Sequence, residues 1–200
     1  MVLAAAGLLV ASTACADEFL LQSAVPGYKV AFDTRKGNLK HVEMIPQAES
    51  LKGWSEMLTT QIFFGGVPQK TPAGFYAWVS ERWRASCPTA TAQLLRQGTE
   101  KGYPFAFWML TCESVPATSR PEHTWFKAIQ GRDSFYLVQK AWRREPGKDE
   151  IVKWTQYLRQ VAVCDTSATG EKACPAGFSP NSAAARRMVI TTRAGMKGQA

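Results

Sequence analysis

His41 and Glu43 are the residues whose types and spacing come nearest to a catalytic pair. They lie two positions apart in a segment that alternates polar and apolar residues, and side chains two apart on a β-strand share a face. General-base catalysis uses a histidine beside a carboxylate, because the carboxylate orients the imidazole ring. The same pair is also a common surface contact on a hairpin. Both interpretations stay open, and a cell-envelope hydrolase or hydrolase inhibitor with its site near His41 is one alternative function.

The sequence lacks other patterns that are typical of catalysis or metal binding. None of the serines stands in the Gly-x-Ser-x-Gly motif that exposes a nucleophile, and no glycine-rich phosphate loop follows a predicted strand. His123, the second histidine, has no neighbours at metal-ligand spacing. We therefore predict no metal and no cofactor.

Residues 1–16 have the pattern of an export signal. They carry no charge, contain an apolar stretch at positions 3–10 and end in the small residues Ala14 and Ala16, which predicts cleavage before Asp17. The apolar stretch is too short to span a bilayer. Cys15 leaves a second possibility, in which this cysteine is acylated and the protein is a lipid-anchored envelope assembly factor. In both cases we expect a periplasmic or secreted protein.

Four cysteines follow the predicted signal: Cys87, Cys112, Cys164 and Cys174. An even number of cysteines in an exported chain indicates disulfides, and four cysteines allow three pairings. The polar segment 165–170 suits a local loop closed by Cys164 and Cys174, which leaves Cys87 to pair with Cys112.

Charge is distributed unevenly along the chain. The net charge is +8, and the only charged residues of segment 175–200 are Arg186, Arg187, Arg193 and Lys197. We predict one α+β domain at 17–165, followed at 166–200 by a disulfide-closed turn and a flexible basic tail. The tail serves either solubility or attachment to an anionic envelope component, which includes peripheral membrane contact. Nucleic acid is not an expected partner.

The strongest sign of a binding function is the group of seven tryptophans. Trp78 lies off the apolar stripe of its predicted helix and is near Arg82 and Arg84, and an exposed aromatic ring beside arginines suits a protein or glycan surface. Thr60 and Gln61 either line a groove between elements or face solvent. The candidate binding surface therefore comprises Trp78, Arg82, Arg84, Thr60 and Gln61.

Apolar periodicity predicts eight main elements and one short helical piece. We expect a hairpin at 28–33 and 39–46, helices at 54–63 and 72–84, and a short helical piece at 90–96. Strands at 105–112, 124–130 and 135–142 follow, and then a last helix that opens at 145–149. Trp54, Leu58 and Ile62 would form one stripe of the first helix, and Glu56 would lie in its first turn. This order predicts an α+β fold with a single antiparallel sheet of about five strands and helices packed on it.

Residues 53–61 resemble part of a set of small exported bacterial proteins, mostly of unknown function. The shared pattern is Trp-Ser/Thr-Glu-Met-x-Thr-x-Gln after a β-hairpin, which corresponds here to Trp54, Ser55, Glu56, Met57, Thr59 and Gln61. The order of elements is similar to the PsbP-like α/β/α sandwich. This resemblance implies a non-catalytic assembly or binding factor. We therefore expect a secreted or periplasmic protein that binds a protein partner or a cell-envelope component.

Overall fold

The computed structural model describes residues 18–179 and 189–190. Over these residues the chain forms ten strands, two α-helices and a 3₁₀ turn at Gly170–Lys172. The strands and helices, in chain order, are β1 Glu18–Leu21, β2 Tyr28–Lys36, β3 Leu39–Pro46, β4 Glu56–Phe64, α1 Pro72–Ser86, β5 Thr91–Glu100, β6 Tyr103–Val115, β7 Arg120–Gln130, β8 Ser134–Trp142, α2 Lys148–Gln160, β9 Ala162–Asp165 and β10 Val189–Ile190. The predicted signal at 1–16, with Cys15, lies outside the described residues, as do the tail residues Arg186, Arg187, Arg193 and Lys197.

Seven strands form the main sheet in the order β2-β3-β4-β8-β7-β6-β5. Every neighbouring pair in this sheet is antiparallel. A second, three-stranded sheet has the order β10-β1-β9. The α+β class is confirmed. The prediction of a single sheet of about five strands is wrong, because two segments expected to be helical are strands of the main sheet and a second sheet is present.

The two helices cover opposite faces of the main sheet. On one face α1 packs on β5, β6 and β7, where Phe75 joins a buried cluster with Trp108 and Phe126. On the other face Trp154 and Leu158 of α2 join a second cluster to which β1 and β9 also contribute. Helices therefore lie on both sides of the sheet, as the predicted sandwich requires. Strands β2, β3 and β4 extend beyond the part of the sheet on which α1 packs.

The predicted helix at 54–63 is wrong, since most of this segment is strand β4. Leu58 and Ile62 are four residues apart, and this spacing fits both a helical stripe and alternate positions of a strand. β4 lies between β3 and β8 inside the sheet, so side chains on both of its faces are buried. The β-branched residues of this segment favour a strand. Hydrogen bonding to β3 on one side and to β8 on the other stabilises the strand over the helix.

Two further predictions fail for related reasons. Residues 90–96 contribute to the edge strand β5 instead of a helical piece. Glu56 does not occupy a helix terminus: it begins β4, and its Oε2 lies 2.5 Å from Nζ of the buried Lys140 on β8. An ion pair between neighbouring strands thus replaces the expected interaction with a helix dipole.

Other predicted features agree with the structure. The opening hairpin forms β2 and β3, and Pro46 is the last residue of β3. Helices α1 and α2 occur where periodicity places them. Disulfides join Cys87 to Cys112 and Cys164 to Cys174, with Cα–Cα distances of 6.2 and 4.7 Å. Within the described part of the chain, neither helix has the length and apolar character needed to cross a membrane.

The segment after β9 returns to the domain. Cys174 is bonded to Cys164 of β9, and the ring of Phe178 lies 5.1 Å from the ring of Phe19 in β1. Strand β10 pairs with β1 through Leu20 and Leu21. The second sheet therefore includes residues from both ends of the described chain.

Candidate functional site

The face of the main sheet that carries α1 changes from aromatic to polar across its width. One row of cross-strand neighbours runs Phe32, Glu43, Thr59, Gln139, Phe126 and Trp108. The adjacent row runs Thr34, His41, Gln61, Leu137 and Ala128. Helix α1 packs over the aromatic end, so the polar side chains of β3, β4 and β8 lie beside it.

His41 is held between two polar side chains. Its Nε2 lies 3.0 Å from Oε1 of Glu43, and its Nδ1 lies 3.1 Å from Nε2 of Gln61. Because an amide nitrogen only donates, Nδ1 accepts from Gln61 and Nε2–H donates to Glu43. The ring of Phe32 packs against the imidazole with 5.7 Å between centroids. Both ring nitrogens are engaged, so the imidazole of His41 is held in a fixed orientation on the polar surface.

Local sequence signals define where α1 begins and ends. The hydroxyl of Thr71 accepts a hydrogen bond of 3.0 Å from the backbone N–H of Gly74, and Pro72 occupies the first helical position. Both features are typical of helix N-termini. The helix ends before Cys87, which Pro88 follows. A residue that precedes proline disfavours helical backbone, and this accounts for the end of the helix.

Trp78 and Arg82 form a contact along α1. They are four residues apart, which places them on one helical face. The guanidinium carbon of Arg82 lies 4.4 Å from the ring centroid of Trp78, a cation–π geometry. On its inner side Trp78 approaches Phe75, with 5.5 Å between ring centroids. Trp78 nevertheless remains 37% exposed, so part of an anchored aromatic ring faces solvent.

Helix α1 and the polar half of the sheet enclose a groove of about 470 Å³. We call it the α1 groove. Its lining combines amide side chains from β4, β8 and the turn between β2 and β3 with aromatic side chains from the helix and the sheet. It includes Asn38, Gln61, Trp78, Trp83, Phe126 and Gln139. These groups can bind an apolar side chain and hydrogen-bond to neutral polar groups at the same time.

The Cys87–Cys112 disulfide positions the helix that forms one wall of the α1 groove. Cys87 follows α1 directly, and Cys112 lies on β6, on which the helix packs. Both cysteines are buried. The bridge therefore attaches the C-terminal end of α1 to the sheet and restricts how far the helix can move from the groove floor.

The structure brings together part of the predicted binding surface. Trp78 and Gln61 line the same groove, and Arg82 stacks on Trp78. Arg84 is exposed on α1 but is not among the groove residues. Thr60 is on the opposite face of the sheet, only 2% exposed, and its hydroxyl donates to Oε1 of Gln22 over 2.9 Å. Thr60 is therefore a core residue and does not contribute to this surface.

Gln139 is a groove residue that sequence reasoning missed. It lies beside Thr59 and Phe126 in the sheet. A polar residue between Leu137 and Ala141 on one strand face is a visible signal, but its meaning depends on knowing which strands are neighbours.

The described ranges 18–179 and 189–190 contain no cluster of three His, Cys, Asp or Glu residues that could hold a metal ion.

Comparisons with known proteins give no family for this chain. No protein-family model matches the sequence, and no curated protein matches it. Among solved structures, the Saccharomyces cerevisiae Ran-binding protein Mog1p is similar over 66% of this chain and 75% of its own, with 9% identity and a TM-score of 0.40. A mutant of Mog1 gives 0.41, with 9% identity over 66% of this chain and 76% of that chain. Cyanobacterial PsbP from Synechocystis is similar over 80% of this chain and 95% of its own, with 12% identity and a TM-score of 0.42. TM-scores below 0.5 do not assign the chain to either fold family.

Proposed function

We propose that this protein is an exported, non-catalytic binding protein that holds a segment of a partner protein in the α1 groove. The observation that carries the proposal is the partly exposed Trp78, which is anchored by Phe75 and Arg82 at the rim of a groove lined by amides. Tryptophan and arginine are the residue types most enriched at the energetic centres of protein interfaces.

The composition of the groove favours a peptide segment over a purely apolar ligand. An apolar side chain of the partner would rest on Trp78 and Trp83, which are the partly exposed tryptophans of the groove lining. The amides of Gln61 and Gln139 can donate to and accept from a peptide backbone. A partner backbone that enters the groove would therefore find hydrogen-bonding groups beside the apolar surface, which limits the cost of its desolvation.

The positive charge of Arg82 beside the groove predicts that the partner segment also contains an acidic residue. Arg82 is exposed above the ring of Trp78, and the whole chain carries a net charge of +8. A carboxylate next to the apolar side chain of the partner would pair with this guanidinium. We therefore expect a segment that combines a large apolar residue with a neighbouring Asp or Glu.

Export is supported by two independent features. The uncharged apolar segment at 1–16, with small residues before Asp17, has the pattern of a cleavable signal. The two disulfides are compatible with an oxidising compartment, because thiols stay reduced in the cytosol of most organisms. N-terminal sequencing of the mature protein tests this part of the proposal, with Asp17 as the expected first residue. Cytosolic recovery with residues 1–16 retained would contradict it.

The binding proposal is tested by selecting peptides from a random library on the disulfide-bonded protein. The selected peptides are expected to pair a large apolar residue with an acidic residue. Affinity should fall about tenfold or more in Trp78→Ala, because truncation of an interface tryptophan removes at least about 1.4 kcal/mol. Arg82→Glu should also weaken binding. Arg84→Glu is the matched control, since it makes the same charge change at another exposed position of α1, whereas Arg82 is the arginine that stacks on Trp78.

Two results would overturn the proposal. One is selection of peptides whose affinity is the same for Trp78→Ala and for the wild type, because such peptides bind elsewhere. The other is tight binding of neutral oligosaccharides in the α1 groove when peptides fail to bind, which would assign the groove to a glycan. Chemical-shift changes in NMR spectra, followed for Gln61 and Gln139, locate the bound molecule in either case.

A further inference from the structure

A second concave site lies on the opposite face of the main sheet, at the C-terminal end of α2. We call it the α2 cleft. Its volume is about 580 Å³. Its lining combines the apolar residues Leu95, Phe105 and Phe107 with the cations Arg96, Lys127 and Arg159 and with one carboxylate, Glu100, which is paired with Lys127. This volume is within the range of small-molecule sites. The α2 cleft shares no lining residue with the α1 groove, so it is independent of the function proposed above.

The floor of the α2 cleft is apolar. Phe105 and Phe107 are alternate residues of β6, and both are buried. A β-bulge in the edge strand β5 extends this surface, because pairing with β6 passes from Leu94 directly to Arg96. The extra residue, Leu95, lets two consecutive side chains border the same cleft. The floor and Leu95 together suit the apolar body of a ligand.

Lys127 holds the end of α2 against the sheet. It is only 2% exposed, and its Nζ donates to Oε2 of Glu100 at 2.9 Å, to the carbonyl of Arg159 at 3.1 Å and to the carbonyl of Val161 at 2.6 Å. The three protons of the ammonium group are thus all used. The carbonyl end of a helix carries partial negative charge, which repels anions. The ammonium group of Lys127 offsets the partial negative charge of the carbonyl end of α2 beside the α2 cleft.

Two guanidinium groups at the cleft remain available for a ligand. Arg96 and Arg159 are exposed, and neither side chain forms an ion pair with any residue in the described range 18–179. The guanidinium carbon of Arg96 lies 5.7 Å from the ring centroid of Phe105, so positive charge is placed directly beside the apolar floor. Planar guanidinium groups bind carboxylate, phosphate and sulfate oxygens through two parallel hydrogen bonds.

We propose that the α2 cleft binds a small anionic amphiphile, with its acidic head group on Arg96 and Arg159 and its apolar body on Phe105 and Phe107. Head group and body are both required. A purely apolar ligand leaves the two guanidinium groups without a partner, whereas a simple inorganic anion leaves Leu95 and the accessible edge of the aromatic floor in contact with water.

Titration calorimetry with three matched probes tests this proposal on the disulfide-bonded protein. Octanoate below its micelle concentration carries both features, 1-octanol carries only the chain, and inorganic phosphate carries only the charge. Octanoate should bind at least about tenfold more tightly than either of the others, because each lacks one favourable contribution. Equal affinity for octanol and octanoate, or for phosphate and octanoate, would overturn the proposal.

Variants locate the bound probe. Arg96→Gln and Arg159→Gln should each weaken octanoate binding roughly tenfold, and both should keep the wild-type melting temperature because the two side chains are exposed. Arg84→Gln is the matched control, since it removes one exposed arginine from α1, on the other face of the sheet and away from both concave sites. Octanoate affinity that is unchanged in the Arg96→Gln/Arg159→Gln double variant would contradict the site.

Binding to phosphatidylglycerol vesicles without binding to dissolved octanoate would assign the basic residues to a membrane surface instead, and would also overturn the proposal.

Discussion

Replacement of Lys140 by methionine should destabilise the fold by about 3 kcal/mol. Lys140 is fully buried, and its Nζ lies 2.5 Å from Oε2 of Glu56 and 2.8 Å from the hydroxyl of Tyr28. The rings of Trp154 and Trp142 lie 4.2 and 5.0 Å from the same nitrogen. Methionine fills most of the volume of this aromatic enclosure but leaves the Glu56 carboxylate without its cation. Loss of one partner from a buried pair is the costly change.

The double variant Lys140→Met/Glu56→Gln separates the charge from the packing. Removal of both charges leaves a neutral amide beside an apolar side chain, so we expect its stability to return to within about 1 kcal/mol of the wild type. Urea denaturation followed by circular dichroism measures the free energy of unfolding of all three proteins. A loss below about 1 kcal/mol in Lys140→Met alone would refute the interpretation of Lys140 as a buried and paired charge.

The pH dependence gives a second test of the same lysine. Burial lowers the pKa of Lys140 from 10.5 to about 8. Between these two values the unfolded chain binds more protons than the folded protein, so the stability contribution of Lys140 rises with pH. Relative to Lys140→Met, the wild type should gain about 2 kcal/mol between pH 8 and pH 10. Burial also raises the pKa of Tyr28, which opposes this gain above pH 10. A constant difference between pH 8 and pH 10 would refute the lowered pKa.

Two further predictions concern the connections that hold the fold. The double variant Cys87→Ala/Cys112→Ala should lose about 3 kcal/mol of unfolding free energy, because the bridge closes a loop with a sequence separation of 25. Urea denaturation measures this loss. A loss below about 1 kcal/mol would show that the bridge does not constrain the unfolded chain. Gly131→Ala should destabilise by more than about 1 kcal/mol, since the added Cβ would lie 2.9 Å from the backbone carbonyl oxygen of Ser134 and 2.6 Å from Oε2 of Glu18. Gly53→Ala is its control, as the nearest atom to that Cβ is 4.0 Å away, and equal melting temperatures for the two variants would contradict the expected clash.

Much of the local structure followed from residue patterns. The hairpin of β2 and β3 was predicted because alternation and a central turn are both visible in a short segment. Helix α2 was predicted because its apolar residues recur at steps of three and four, which only a helix brings onto one face. The segment of β4 was assigned wrongly because the stripe of Trp54, Leu58 and Ile62 has steps of four, a spacing that a strand satisfies equally well.

Two buried lysines show a signal that was present in the sequence but was not used. Lys140 alternates with Val138 and Trp142, and Lys127 alternates with Trp125 and Ile129. A charge on the apolar face of a strand must find a partner inside the protein or destabilise it. Periodicity therefore predicts that each lysine is paired. It does not predict that Lys140 binds Glu56, because those two residues meet only when β4 and β8 pair.

The amino-acid sequence by itself determined the α+β class, the two helices and the first hairpin, because each depends on contacts between residues close in the chain. It favoured the observed disulfide pairs among the three pairings that four cysteines allow. Only the tertiary structure decided that β4 is a central strand, that Gln61 and Trp78 share a groove, and that Arg96 and Arg159 border one cleft. Those arrangements depend on strand order and on the face that each helix covers. Strand order is set by the burial of whole sheet faces, which no local pattern specifies.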